Sequence, residues 1–567
     1  MKRFLLFFLL VTAGLSFAAD TTKLSPDLQK SNASKARVVV QYDAPPSLLD
    51  LKLLSTLGSI LNSLPLVNGV VAELPLGNIL SLSNQSNVKY ISLDRALSPT
   101  LSNAAPAVNA ETAWQSGYTG AGIGVAVIDS GVSSHPDLNG GLLGLSRVVW
   151  SQSFVPTDLS GSDKFGHGTH IAGLIAGNGA SSTGSKYSKT FKGIAPQANI
   201  INLRVLDQNG SGSDSAVISA INTAILLKSL FNIRVINLSL GRPVFESYKL
   251  DPLCLAVEAA WKNGIVVVVA AGNNGRYQDT NGYATVTAPG NDPYVLTVGA
   301  MKTMGTPVRE DDVMASYSSK GPTAVDAVAK PDLVAPGNLL VSLEAPNSTL
   351  YDSYPANRVP NNFYVNGGNS GPSSAYFTLS GTSMATGVVS GVVADLLQKS
   401  PSLTPDQVKA RLMKTAWKSL PAYSSTTDPT TGITYTDQDD IFTVGAGYID
   451  VEAALNNSDV AKGTAMSPIA TYDPDNGYVY LTDSSTAVWN TTATWSNSAV
   501  WGTSQFIVGA PPSALSGNPL WGSSSEPWGS NVLWGSNVLW GSNVLWGSNV
   551  LWGSNVLWGS NVTGGEQ

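Results

Sequence analysis

Residues 379–391 read LSGTSMATGVVSG, in which Ser383 stands between the turn-forming Gly381 and a run of small and apolar residues. The run after Ser383 predicts a buried helix. A hydroxyl is a poor nucleophile unless a base accepts its proton. Ser383 therefore indicates catalysis only if a histidine and a carboxylate occur in suitable settings elsewhere in the chain.

Two upstream motifs supply these groups. Residues 166–173, GHGTHIAG, place His167 at the start of another small-residue helix. Residues 123–131, IGVAVIDSG, form an apolar, β-branched run that predicts a buried strand with Asp129 at its C-terminal end. The order along the chain is therefore aspartate, histidine, serine.

The three motifs, in this order, resemble those of the subtilisin family of serine peptidases. Each motif occurs by chance in many chains, but three in one order and context are specific. The resemblance implies that Asp129, His167 and Ser383 form a catalytic triad and that no cofactor is needed for the chemistry. It also implies that Asn273, which ends the segment AAGN at residues 270–273, supplies the oxyanion hole.

The resemblance further implies an edge that pairs with an extended polypeptide substrate, made of Ser239, Leu240 and Gly241. Two residues depart from the family pattern here. Arg242 stands where many members have a second glycine, and Thr287 takes a position near the primary specificity pocket that is often glycine. Both are expected to narrow the usual preference for large apolar side chains.

Other residues near the motifs carry simpler expectations. Gly387 replaces the family's proline and is expected to change helix rigidity without removing a catalytic atom. His170 is expected to be structural and His135 to lie in a surface loop, while residues 163–166 form a turn or a rim of the substrate site. Relatives often carry structural calcium, but the loop at residues 178–192 offers no clear carboxylate ligand set, so no metal site is assigned.

Composition indicates a large globular protein. The chain has 567 residues, of which 43% are hydrophobic and 13% charged, and its net charge is -7. These values argue against a disordered or nucleic-acid-binding protein. The single cysteine, Cys254, excludes an intrachain disulfide. Its apolar helical setting favours a buried, inert thiol over a reactive one.

The first 18 residues have the three parts of a secretory signal peptide. A basic start is followed by an apolar run at residues 4–11 and by small residues before Ala19. The apolar run is too short to span a bilayer, and no later stretch is apolar for long enough to do so. Cleavage after Ala18 and a secreted, extracellular product are therefore expected.

Residues 19–104 are predicted to form a small α/β propeptide. The pattern indicates a strand at 37–42, a helix at 51–64, a hairpin at Asn68-Gly69, a helix at 76–82 and a strand at 88–93. This order resembles the ferredoxin-like inhibitory propeptide of many subtilisin-like enzymes. Such a propeptide would act as an intramolecular inhibitor and be cleaved off between Leu97 and Ala110. An unrelated N-terminal domain that stays attached remains the alternative.

Residues 105–456 are predicted to form the catalytic domain, an α/β fold with a parallel sheet and helices on both faces. Helical spacing after a Ser213 N-cap, an apolar helix at 253–261 and a capping box that starts at Thr404 support the alternation of strands and helices.

After residue 456 the composition shifts to a Ser/Thr/Trp-rich linker, residues 457–520, and then to WGSNVL hexapeptide repeats within residues 521–567. The repeats are compatible with a β-solenoid or with a disordered tail. Regularly spaced tryptophans are suited to binding a cell surface, a glycan or another copy of the chain. The alternative function is therefore a catalytically weak surface-binding protein that acts through this tail.

Overall fold

A computed structural model describes residues 20–29, 33–94, 96–99, 110–140, 144–277, 280–306, 309–428, 432–473 and 478–482. The predicted signal peptide and the Trp-rich repeats lie outside these residues. The chain divides into two compact units between Asp94 and Arg95.

The first unit is a four-stranded antiparallel sheet with strand order β2-β3-β1-β4. Its elements are α1 (Pro26–Gln29), β1 (Lys35–Tyr42), α2 (Leu48–Leu57), β2 (Ser59–Leu64), β3 (Gly69–Pro75), α3 (Leu76–Ser83) and β4 (Val88–Leu93). Val38 and Val40 of β1 pack with Leu54 of α2, Ile79 of α3 and Ile91 of β4 in one buried core. The alternation of β1 directs these valines to the helices.

The predicted helix over residues 51–64 is wrong in its second half. A capping box between Ser47 and Asp50 starts α2 earlier, and the helix ends at Leu57. At Gly58 a Cβ atom would lie 2.3 Å from the carbonyl oxygen of Glu73, so only glycine fits where the chain turns back. The apolar residues that follow then pair with β3 as strand β2.

The second unit contains a mixed α/β fold. Its elements are β5 (Ala96–Pro99), α4 (Ala110–Gln115), β6 (Gly124–Asp129), β7 (Val148–Ser153), α5 (His167–Ala176), β8 (Asn199–Arg204), β9 (Gly212–Ser213), α6 (Asp214–Phe231), β10 (Ile233–Leu238), β11 (Leu240–Gly241), α7 (Pro252–Lys262), β12 (Val266–Ala270), β13 (Leu296–Lys302), β14 (Val313–Met314), β15 (Leu333–Pro336), β16 (Leu340–Leu343), α8 (Thr349–Ser353), β17 (Arg358–Pro360), β18 (Pro372–Leu379), α9 (Thr382–Lys399), α10 (Pro405–Thr415), β19 (Tyr423–Thr427), β20 (Thr434–Gln438), α11 (Ile441–Val444), α12 (Val451–Asn456), β21 (Ile469–Asp473) and β22 (Tyr478–Thr482).

The main sheet of this unit has the order β14-β13-β12-β10-β6-β8-β7, with β15 beside β13. All its pairs are parallel except β13 with β14. The predicted parallel sheet with helices is therefore confirmed. In such a sheet the carboxyl ends of the strands form a ligand-binding edge. β6 and β12 deliver Asp129 and the segment before Asn273 to that edge.

The expectation that no stretch after the signal peptide is apolar for long enough to span a bilayer is wrong for one helix. Among the described residues, α6 is long and apolar enough to cross a membrane by length and composition. Its N-terminal half packs into the fold through buried residues such as Val217, Ile221 and Ala224. The predicted Ser213 N-cap is present and accepts a hydrogen bond from the Ala216 N–H. α6 thus packs on the second unit through its N-terminal half.

Cys254 is buried in α7, as predicted. Its Sγ lies 3.4 Å from Oδ1 of Asn291, and burial raises the pKa of the thiol well above its usual value. A neutral, enclosed thiol is a poor nucleophile.

Candidate active site

His167 and Asp129 form a buried pair at the carboxyl edge of the main sheet. β6 is buried along its length and ends at Asp129, while α5 begins at His167. Nδ1 of His167 lies 2.8 Å from Oδ1 of Asp129. Because an ionised carboxylate only accepts hydrogen bonds, Nδ1 carries the proton and Nε2 presents a lone pair. Among the described residues, Nε2 has no hydrogen-bond partner.

Gly168 explains how α5 reaches this position. A Cβ atom on Gly168 would lie 2.2 Å from the carbonyl oxygen of Gly131. The missing side chain lets the first turn of α5 rest on the turn that follows β6. The motifs around Asp129 and His167 are thus in direct contact.

Ser383 is the second residue of α9, which follows Gly381. Its Oγ donates to the carbonyl of Ser239 at 3.1 Å, and Oγ of Ser239 donates to the Ser383 carbonyl at 2.8 Å. Asn237 of β10 pairs with Val127 of β6, so the register carries Ser239 level with Asp129. Since α5 and α9 also pack against each other, the fold brings the three predicted triad residues to one region.

Asn273 is anchored by the residue that precedes Ser383. Its Oδ1 accepts hydrogen bonds from the N–H of Thr382 at 3.0 Å and from Oγ1 of Thr382 at 2.9 Å. Two donors at one end of the amide fix its orientation, so Nδ2 points away from Thr382. Oγ1 of Thr382 in turn accepts a hydrogen bond from the N–H of Gly272 at 3.1 Å.

The predicted substrate edge already carries a strand of the chain itself. β5 is the centre of a three-stranded antiparallel sheet with the order β11-β5-β9. The register pairs Leu240 with Pro99, Gly241 with Ser98, Gly212 with Leu97 and Ser213 with Ala96. β5 therefore ends one residue before the level of Ser239, the contact of Ser383.

The comparison with known families agrees with this geometry. The subtilase family model matches residues 120–448. The chain belongs to the subtilase family. It is a serine-type endopeptidase, as the sequence motifs predicted.

Curated relatives match the same part of this subtilase. Serine protease AprX of Bacillus subtilis is 39% identical over 338 residues, which cover 58% of this chain and 70% of AprX. Subtilisin DY of Bacillus licheniformis is 33% identical over 350 residues, covering 62% of this chain and 96% of that protein.

A solved structure shares the fold. Fervidolysin of Fervidobacterium pennivorans, described as a keratinolytic enzyme related to subtilisin, has a TM-score of 0.54 and 23% identity. The match covers 79% of this chain and 64% of fervidolysin. It supports the subtilisin-like α/β architecture.

Arg242 and Thr287 differ in how they relate to the groove of this subtilase. The side chain of Arg242 is buried and donates to Asp214 and Asp251, and its effect on substrate preference stays a prediction. Thr287 packs between Gly241 and Gly272. A Cβ atom on Gly241 would lie 2.5 Å from Oγ1 of Thr287, and one on Gly272 would lie 3.0 Å from its Cγ2.

Asp163 organises the entry to α5, a role the sequence did not reveal. It is buried, and its Oδ1 accepts from Oγ of Ser130 and from the N–H groups of Phe165 and Gly166. Its Oδ2 accepts from the N–H and Oγ1 of Thr169. The carboxylate thereby ties the first turn of α5 to the residue after Asp129. The available signal was an aspartate four residues before the histidine.

The other two histidines are both buried and structural. Nε2 of His170 donates to the Leu340 carbonyl, and burial lowers the pKa of this ring to about 3. The expectation of a surface loop for His135 is wrong, because its Nε2 donates to the Ala375 carbonyl and its Nδ1 accepts from the Asp137 N–H. In the described part of the chain, no group of three or more His, Cys, Asp or Glu residues is arranged to hold a metal ion.

Proposed function

We propose that this subtilase is a secreted endopeptidase, autoprocessed from a precursor, that cleaves peptide bonds through Asp129, His167 and Ser383. The observation that carries the proposal is the 2.8 Å contact between His167 and Asp129, which leaves a lone pair on Nε2 of the imidazole. The helix that begins at His167 packs against the helix that carries Ser383 in its first turn. A base of that tautomer and a serine on packed helices are the groups that acyl transfer needs.

The proposed reaction forms and breaks one acyl-enzyme. Nε2 of His167 takes the proton of Ser383 while Oγ attacks the scissile carbonyl carbon. The imidazolium, stabilised by Asp129, then protonates the leaving amine as the peptide bond breaks. Water repeats the same steps on the ester, which releases the acid product and restores the serine.

The oxyanion of the tetrahedral intermediate needs donors that are fixed before the reaction. Asn273 is the first proposed donor, a role supported by the two hydrogen bonds with which Thr382 holds its Oδ1 and directs Nδ2 away. The backbone N–H of Ser383, in the first turn of α9, is the second proposed donor. The positive end of the helix dipole favours negative charge at this position.

The first unit is proposed to be the propeptide and intramolecular inhibitor. Its β-α-β-β-α-β order supports a ferredoxin-like fold. The position of β5 between β9 and β11 supports processing in the predicted interval, within the first residues after Pro99. Substrates would bind as extended strands in the place of β5.

Export is proposed from residues 1–18, which have the charge and apolar pattern of a signal peptide. Sequencing of the N-terminus of the exported precursor tests this proposal, with Ala19 as the expected first residue. A first residue upstream of Ala19, or retention in the cell, would contradict it.

The decisive experiment is labelling of the purified precursor with a fluorophosphonate probe, while fragment release is followed on a gel. We expect the wild type to label and to release its N-terminal unit, and Ser383→Ala to do neither. Ser402→Ala, an exposed serine just after α9, is the matched control and should behave as wild type. A folded wild type that is not labelled and does not release its N-terminal unit would contradict the proposal and favour a binding protein that acts through the tail.

A further inference from the structure

Arg242 forms a buried ion cluster directly behind the substrate groove. Its Nε lies 3.0 and 3.1 Å from the two carboxylate oxygens of Asp214, and its Nη2 lies 2.7 and 2.9 Å from those of Asp251. All three side chains are at most 1% exposed. Each carboxylate accepts through both of its oxygens from one guanidinium nitrogen, and such charge-assisted hydrogen bonds are strong and directional.

The pair of Arg242 with Asp214 connects the two walls of the groove. Arg242 directly follows β11, and Asp214 directly follows β9. Both strands run antiparallel to β5, so they are parallel to each other and both residues leave the sheet at the same end. Neighbouring strands lie about 4.8 Å apart, so two strands that flank a third are separated by about 9.6 Å. The ion pair spans this gap.

The anchor points of the cluster are rigid. Asp214 is the first residue of α6, and Asp251 is the N-cap of α7, where it accepts the Leu253 N–H. Carboxylates at helix N-termini are stabilised by the helix dipole. Burial opposes the charge on Arg242, but the carboxylates of Asp214, Asp251 and Glu246 offset it and raise the pKa of the guanidinium. The cation therefore stays charged and joins β11 to the starts of two helices.

The cluster is expected to add little to the free energy of unfolding, because the desolvation cost of a buried ion pair offsets most of its attraction. The role of the cluster is better explained by the spacing of the strands that it connects. When β9 and β11 are held two strand spacings apart, one extended strand fits between them. The groove then does not have to close on the substrate, which lowers the free-energy cost of binding.

We propose that Arg242 is a positioning residue, which holds β9 and β11 at the separation that admits one extended polypeptide strand. This inference rests on the proposed function. β5 runs toward Ser239, so the substrate residues that benefit are those on the amino side of the scissile bond, about three or four residues before it. The enzyme is therefore selective for longer polypeptides over dipeptide-sized substrates.

The test compares chromogenic anilides that carry two or four residues before the scissile bond. In the wild type, kcat/KM rises with length. Arg242→Lys keeps the charge, but it has one nitrogen where arginine uses two, Nε for Asp214 and Nη2 for Asp251. In this variant we expect the ratio of kcat/KM between the four-residue and the two-residue substrate to fall about tenfold, through a higher KM for the longer substrate. Cleavage of the two-residue substrate and fluorophosphonate labelling should stay within about threefold of wild type. Arg242→Met should show the same pattern more strongly.

Lys409→Met is the matched control, since Lys409 is a buried cation that pairs with Asp332 and lies on α10 rather than on a groove strand. It should lower thermal stability and keep the length dependence. An unchanged length dependence in Arg242→Lys, or an equal fall for both substrates, would overturn the inference. A wild type that does not label at all would instead refute the proposed function itself.

Discussion

At the scale of single residues, Thr382 connects the proposed oxyanion donor to the nucleophile. Thr382 links the backbone of Gly272 to the amide of Asn273 and immediately precedes Ser383. The nucleophile and the proposed oxyanion donor are therefore placed by one shared neighbour. This arrangement makes the contribution of Asn273 measurable apart from that of Ser383.

We expect Asn273→Ala to lower kcat by about 100- to 1000-fold with little change in KM, because the lost donor acts on the oxyanion of the transition state. The magnitude comes from a subtilisin, which is a relative. Steady-state kinetics on a peptide anilide provide the measurement. Thr382→Val, which keeps the shape but loses the hydroxyl, should lower kcat by a smaller factor. If Asn273→Ala raised KM and left kcat unchanged, Asn273 would not act on the oxyanion.

Asp395 gives a prediction about pH. It is fully buried in α9, and within the described structure neither carboxylate oxygen has a hydrogen-bond partner. Burial raises the pKa of Asp395 well above its usual value, so the folded state binds a proton that the unfolded state releases above about pH 4. Its contribution to stability therefore falls as pH rises toward the folded-state pKa, by up to about 1.4 kcal/mol per pH unit.

Asp395→Asn removes this titration. In a Ser383→Ala background, which prevents self-digestion, we expect the stability of the variant relative to its parent to increase from pH 5 to pH 8. The free energy of unfolding in urea at several pH values provides the measurement. Parallel pH profiles for the two proteins would show that Asp395 is ionised in the folded state.

The sequence predicted the residues with a chemical signature and missed those that act by position. Asp129, His167, Asn273 and Ser383 were predicted because each stands in a recognisable motif. Asp163 was not, because its role depends on five donors that converge only after folding. His135 was misplaced because its acceptor, the carbonyl of Ala375, lies 240 residues away in the chain.

At the scale of elements, two glycines of α9 allow a matched test of helix packing. A Cβ atom on Gly387 would meet Leu174 at 3.4 Å, an ordinary contact, whereas one on Gly391 would lie 2.5 Å from Cβ of Ile194. We expect Gly387→Ala to stabilise the protein by about 0.5–1 kcal/mol through helix propensity. Gly391→Ala should destabilise it by about 1–3 kcal/mol through overpacking. Urea unfolding in the Ser383→Ala background measures both, and equal signs would contradict the packing described for α9.

The position of Thr287 leads to a prediction about which side chain the enzyme prefers directly before the scissile bond. Thr287 fills the space between Gly241 and Gly272, next to the proposed oxyanion donor. Thr287→Gly should therefore raise kcat/KM for substrates with Phe before the scissile bond, relative to Ala, by about tenfold. Thr287→Ser, which removes one methyl group, should give a smaller change in the same direction. An unchanged Phe-to-Ala ratio would show that the pocket lies elsewhere.

The bounds of elements with a clear periodic pattern or a clear capping motif were predicted within a few residues. β4 begins at Val88 and ends at Leu93 as predicted, and α10 starts with the capping box at Thr404. β2 was mistaken for helix because its apolar residues continue the pattern of α2, and only the close contact at Gly58 forces the turn. The spacing of apolar residues along residues 51–64 does not reveal this contact, because Glu73 lies in another strand.

At the scale of the whole molecule, the chain beyond α12 remains part of the catalytic unit. Oγ of Ser467 donates to Oδ1 of Asp332 and accepts from Nζ of Lys409. The backbone at residues 467–470 bonds to that at 327–329 and to Pro293. The composition change after residue 456 suggested a linker there, because composition does not report which polar residues are buried.

Two truncations test where the folded unit ends. A chain that stops at Thr482 keeps the contacts of Ser467, so its Tm should stay within about 2 °C of the full chain in the Ser383→Ala background. A chain that stops at Asn456 leaves the buried charges of Asp332 and Lys409 without Ser467, so we expect its Tm to fall by more than about 5 °C. With Ser383 restored, the Thr482 truncation should retain peptidase activity, since the residues proposed for catalysis precede it. Equal Tm values for the two truncations would place the end of the folded unit at α12, and loss of activity in the longer one would make the Trp-rich repeats part of the enzyme.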